Sequence, residues 1–327
     1  SATPGTQTLR RQLLTKAKDY YVAFTETKPE SEEIKAQLAD AYQSLGIISR
    51  ELESNSETVE VLAQSIAIRD ELIDADYERQ VNLLEKLTTL NELAIAYDRI
   101  GELPATIEAC EEIKRIVNSG TLRPSLRVDL AYAKSLSTLG TALSRMGEDA
   151  AAEAVQVESV DFLAKLYGDE KNRAGVRMTY AEALRRLAVT ETESARLDTA
   201  RERLELALAL MDANDRKDSD RVYNTGESVV YAAVSSSLAG VYWDAGESDK
   251  AIATMKQCCL QLEAIVEANP LVAQPIQILG NCYNGLAYYL TATSHDEALK
   301  IFERSLPLLT KATENRPQDI VMLKELA

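Results

Sequence analysis

The chain is 327 residues long, 46% hydrophobic but only 6% aromatic, and sets 52 Asp and Glu against 36 Lys and Arg for a formal charge of −16. So acidic a balance excludes a general nucleic-acid or anionic-membrane binder, which needs a basic face. The first 14 residues lack the apolar core of a secretion signal, and no apolar run approaches the roughly 20 residues that a spanning helix needs.

In chain order, Leu13, Leu14, Ala17, Tyr20, Tyr21 and Phe24 fall on one stripe and predict an amphipathic helix over Leu9 to Phe24. From Ser31 a single unit recurs. Leu-Ala stands at Leu38-Ala39, Leu93-Ala94, Leu187-Ala188, Leu238-Ala239, Leu286-Ala287 and Leu326-Ala327, with Leu139-Gly140 in the one gap. The intervals are 55, 46, 48, 51, 48 and 40 residues. Eight residues after the first six leucines come Gly46, Gly101, Gly147, Ala195, Gly246 and Ser294, in a chain with only 13 glycines. A fixed period of this kind means stacked copies of one small unit, and such stacks bind more often than they catalyse.

Each unit reads as two helices. In the fifth, Val229 to Ala245 is a helix that stops at Gly246, the residue that closes a helix in the left-handed conformation without a steric penalty. Glu247-Ser248-Asp249 then caps and charges the start of the next helix. Ala251, Met255 and Cys258 follow as its buried stripe, and Asn269-Pro270 ends it. The first unit fits least well, since its turn near Asn55-Ser56 lies about two helical turns past Gly46. The sixth lacks one residue in its turn before Asp296 and Ala298. No run alternates like a strand.

The order Leu-Ala or Leu-Gly, Tyr at Tyr42, Tyr97 and Tyr242, a turn Gly, then Ala and a large apolar residue resembles the tetratricopeptide repeat. The resemblance implies an all-α fold, a right-handed α-solenoid of about six long helix pairs with capping helices at its ends. The expected organisation is a capping helix in residues 1–30, the array over residues 31–316, and an incomplete further repeat at 317–327. The mean period is about 48 residues against about 34 for the basic repeat, so each helix should be about two turns longer.

A narrower resemblance joins Leu9 to Phe24, with its Tyr20-Tyr21, to the C-terminal region of bacterial membrane-anchored serine/threonine protein kinases. It implies a non-catalytic, extracytoplasmic segment of a larger kinase. The chain itself has no Gly-rich nucleotide loop, HRD or DFG motif. The alternative is a free-standing cytoplasmic adaptor for an extended or acidic peptide. Both settings make the segment a monomeric protein- or peptide-binding scaffold or sensor with no cofactor, no nucleic-acid partner and no membrane insertion of its own.

Few residues suggest chemistry. His295 is the only histidine and sits in a turn, so no nucleophile–base arrangement can be assembled around it. The carboxylates lie beside Lys or Arg at helical spacing, as solvated faces do. Four cysteines without a CxxC pair do not form a zinc site. Cys259 and Cys282 fall at similar heights on neighbouring helices and could bridge, whereas Cys258 sits at a small, buried repeat position where a free thiol packs well. Trp243, the only tryptophan, is either packed against a neighbour or a binding anchor.

The tetratricopeptide resemblance also implies where a ligand lies, on the first helix of each pair. Carried over, this gives Asn91, Asp98 and Arg99 in the second unit and Lys134, Ser137 and Arg145 in the third. Glu182 and Arg185 follow in the fourth, Ser236 and Trp243 in the fifth, and Asn281, Asn284 and Tyr288 in the sixth. Arg99, Lys134, Arg145 and Arg185 would form a basic strip for the carboxylates of an acidic peptide. Asn281, Asn284 and Tyr288 would offer amides and a hydroxyl to an extended backbone.

Overall fold

A computed structural model describes residues 15–17, 19–23, 31–51, 55–169, 174–212, 225–268 and 273–314. Among them there is no strand. The helices are α1 (Glu32–Glu51), α2 (Asn55–Asp74), α3 (Arg79–Ile100), α4 (Leu103–Asn118), α5 (Leu126–Arg145) and α6 (Asp149–Asp169). They continue as α7 (Ala174–Glu193), α8 (Leu197–Asp212), α9 (Thr225–Asp244), α10 (Ser248–Ala268), α11 (Ala273–Leu290) and α12 (His295–Glu314). Residues 15–17 and 19–23 are helical too, within the expected N-terminal helix. The rest of that cap and the half-repeat at 317–327 lie outside the described residues.

The described residues fall into two compact units, Thr8–Leu166 and Tyr167–Ala327. Packing follows one rule within each. Every helix packs on the next, α5 on α6 through the Tyr132 and Phe162 rings, and the first helices of successive pairs also touch: α1 on α3 and α3 on α5 in one unit, α7 on α9 and α9 on α11 in the other. Second helices make no such contact with one another among the described residues. The first helices therefore form a continuous inner layer within each unit.

The recurring Leu-Ala is the point of closest packing. Leu38, Leu93, Leu139, Leu187, Leu238 and Leu286 are all buried, and the residue after each is fully enclosed. That second residue must be small, because the partner helix lies against it. At Gly140 even an added Cβ would stand 2.9 Å from Gln156 Cγ. Gly46 serves similarly, its missing Cβ making room for the Leu62 side chain, while α1 continues to Glu51 before the late turn.

The turns repeat down to individual hydrogen bonds. Gly101, Gly147 and Gly246 have φ of 84°, 81° and 77°. The N–H of each following residue donates back to the carbonyl five positions earlier, as Glu247 does to Tyr242 at 2.8 Å. These are Schellman closures. Ala195 occupies the same place with φ 57°, and Arg196 N–H donates to Glu191 O at 2.8 Å. An alanine there carries a left-handed penalty of roughly 1–2 kcal/mol.

The second helices show what a following pair does. The residue four after the small Ala or Thr of the second helix is Leu62, Cys110, Gln156, Leu204 or Met255 in the first five pairs, with exposures of 1%, 1%, 5%, 0% and 1%. Its counterpart in the sixth is Phe302, 41% exposed. Beside it Leu299 and Leu306 are also exposed, where Ile252 and Cys259 of the fifth pair are buried. In the fifth pair Met255 meets the next first helix, its terminal methyl lying against Gly285 of α11, whereas Leu62 and Gln156 lie against Gly46 and Gly140 of their own pairs.

Candidate functional site

In the N-terminal unit, α3 and α5 carry the proposed inner residues, and much of their polarity is used within the fold. Asn91 is buried, and its Nδ2 donates to Leu87 O at 3.2 Å and to Ala131 O at 3.1 Å. It ties α3 to α5. The Arg145 guanidinium donates to the Asp98 carbonyl at 3.1 Å and pairs with the Asp98 carboxylate. Arg99 and Lys134 are exposed, and neither makes an ion pair among the described residues.

In the C-terminal unit, Arg185 donates from Nε and Nη2 to the two Glu182 oxygens, both at 2.8 Å, and Arg186 Nε adds a third bond at 2.9 Å. Burial pushes the Glu182 carboxyl up, but the Arg185 hydrogen bonds and both guanidinium charges outweigh it and hold the group below the usual carboxylate range. Two of the four cations of the expected basic strip are thus already matched by acids of the fold.

Further along, α9 and α11 bring three aromatic rings together. Trp243 lies 5.0 Å from Tyr289 and 5.9 Å from Tyr288 between ring centroids, and the two tyrosines are 5.6 Å apart. The rings are tilted at 41° to 66°, the arrangement that aligns ring edges with ring faces. Tyr288 stays 59% exposed, and Trp243 is half-buried. Tyr289 was not among the sequence-derived positions. It reaches toward the gap left by Gly240, where an added Cβ would stand 3.8 Å from its hydroxyl. Burial, then the Asp244 charge, raises the Tyr289 phenol. Asn284 Oδ1 accepts from Ser305 Oγ at 2.5 Å, and Asn281 Oδ1 is buried without a hydrogen-bond partner.

The cysteines are free thiols and all buried. The sulfur facing Cys282 belongs to Cys258, at 3.8 Å, not to Cys259. The Cys259–Cys282 bridge that the spacing allowed is not formed, and Cys258 is a buried free thiol, in keeping with its small repeat position. Burial pushes the Cys110 thiol up to about 12 and raises Cys259 as well, so neither is a reactive thiolate. His295 is exposed at the first position of α12. Among the described residues no cluster of His, Cys, Asp or Glu could hold a metal, and no helix is long and apolar enough to cross a membrane.

Residues 133–170, covering most of α5 and all of α6, match the tetratricopeptide repeat family model. No curated protein sequence matches the chain. Among solved structures it is similar to BtubC (BKLC) from P. vanneervenii, at a TM-score of 0.56 and 17% identity, over 80% of this chain and 92% of that one. It is similar to Nro1, described as a nuclear import adaptor and hypoxic regulator of sterol synthesis, at 0.53 and 11% over 97% and 100%. It is also similar to a Rap protein in complex with Competence and Sporulation Factor, at 0.50 and 12% over 88% and 78%. At such identities the likeness is one of fold. Residues 133–170 thus match a tetratricopeptide unit, and the chain as a whole has a helical-repeat fold, similar to those structures, whose repeated Leu-Ala and Gly turns recur at a period longer than that family's basic repeat.

Proposed function

We propose that this chain is a non-catalytic scaffold that binds a protein or peptide along the faces formed by its first helices. The observation that carries the reading is the uneven use of polarity on that layer. Asn91, Arg145 and Arg185 are engaged by the fold, while Arg99, Lys134, Trp243 and Tyr288 remain open to solvent. Side chains held on rigid helices and still reaching solvent are what a binding face requires. A fold shared with an import adaptor, and with a Rap protein in complex with a factor, supports the same reading.

The acidic-peptide form of this reading now rests on Arg99 and Lys134. Of the two settings for such a module, the kinase parent is carried only by the likeness of residues 9–24, and none of the neighbours named above is a kinase. The free-standing adaptor fits a fold shared along almost the whole chain with an adaptor protein. A peptide array probed with the wild type and with an Arg99→Glu/Lys134→Glu variant tests the reading. Acidic peptides should lose binding by about tenfold or more, as expected when two charge-assisted contacts become repulsive. If the reversal leaves every bound peptide unaffected while the circular dichroism is unchanged, the two cations are not a binding site.

A further inference from the structure

The first helices of the last two pairs differ from the other four in charge. α11 has no Asp, Glu, Lys or Arg in its 18 residues. α9 carries only Glu227 near its start and Asp244 at its end. Helices with a solvent face ordinarily place charges on it. Here that face holds the Trp243, Tyr288 and Tyr289 rings, the Asn284 amide and the Asp244 carboxylate. Asp244 is exposed and has no ion-pair partner among the described residues. Burial first, and the Asp244 charge after it, raise the Tyr289 phenol. Asn284 commits Oδ1 to Ser305 and leaves Nδ2 to donate elsewhere.

These features select the sign of the ligand. Ring faces carry negative charge density and attract cations, most of all a guanidinium or ammonium over Trp. A lone carboxylate beside them adds to that attraction, and no base on α9 or α11 opposes it. The surroundings agree, since residues 225–314 contain ten acidic and five basic side chains. We propose that this face docks a polypeptide segment that lays an Arg or Lys side chain on Trp243 and Tyr288, with Asp244 as counter-ion and Asn284 Nδ2 donating to its backbone. The inference rests on the scaffold reading above and specifies the partner chemistry of the C-terminal unit.

Trp243 is the only tryptophan of the chain, so its emission reports this face directly. The full chain is titrated at 0.15 M salt, where long-range attraction is screened, with three 12-residue peptides: (Gly-Ser-Arg)4, (Gly-Ser-Glu)4 and (Gly-Ser-Leu)4. The Arg peptide should change the emission saturably and bind at least about tenfold more tightly than the other two. Tyr288→Ala should weaken it about tenfold and Asp244→Asn about threefold, with unchanged circular dichroism. No response to the Arg peptide, equal binding of the Glu or Leu peptide, or indifference to both substitutions overturns the proposal. Ser236→Tyr, which adds bulk on the same exposed face, separates the two levels. If the three peptides bind alike and Ser236→Tyr abolishes all of them, the cationic preference fails and the scaffold reading stands. If they bind and Ser236→Tyr changes nothing, both fail for this unit.

Discussion

Met255 and Phe302 occupy the same position in successive repeats and should respond unequally to truncation. Met255 is 1% exposed, with its terminal methyl filling the space beside Gly285, where an added Cβ would lie 3.3 Å away. Removing such a side chain loses its transfer energy and leaves a cavity between α10 and α11, together about 2–5 kcal/mol. Phe302 is 41% exposed. Its truncation leaves no enclosed cavity and loses part of the burial energy of a Phe, about 1 kcal/mol. With a urea m-value of about 2 kcal/mol/M, Met255→Ala should lower the midpoint by about 1–2.5 M and Phe302→Ala by about 0.5 M. Trp243 fluorescence follows the unfolding of the unit that holds both residues. Equal midpoint shifts would show that Phe302 is as well covered as Met255, and would refute the reasoning from repeat register.

Three further outcomes follow from local geometry. Gly147→Ala places a Cβ at φ 81° and should cost about 1 kcal/mol, whereas Ala195→Gly relieves a left-handed alanine and should stabilise by up to a similar amount; thermal melts check the opposite signs. Arg203 Nε bonds both oxygens of the buried Glu191 at 2.8 Å. Arg203→Met should therefore cost about 3 kcal/mol or more by stranding that carboxylate, and Arg203→Met/Glu191→Leu should recover much of it, as a double-mutant cycle would read. The Glu182 carboxyl, held below its ordinary value, adds stability above the unfolded-state pKa of about 4.3 and loses it as pH falls through the lower folded value. Urea midpoints measured from pH 7 downward should fall less steeply in Glu182→Gln than in the wild type.

Much of the fold was legible in the sequence, because the rules that shape each repeat are local. A helix needs its stripe, its stop and a small residue where the partner helix approaches. Leu238-Ala239, Gly246 and Ala251 state all three within one unit, and so do their counterparts. The late turn of the first pair was legible for the same reason, since Asn55 and not Gly46 begins the next helix. What a side chain meets across pairs depended on register and rotation between helices about 48 residues apart in sequence, and no local pattern encodes that. Hence no local pattern shows that Asp98 of the preceding pair lies against Arg145, or that Ala131 O accepts from the Asn91 amide. Hence also Cys258 rather than Cys259 faces Cys282, and Tyr289 joins Trp243 over the space that Gly240 leaves open. Helix pairs follow from short-range sterics and hydrogen bonds, which composition and period express. The proposed binding face follows from which side chains stay open to solvent once the pairs are stacked, and tertiary packing alone decides that.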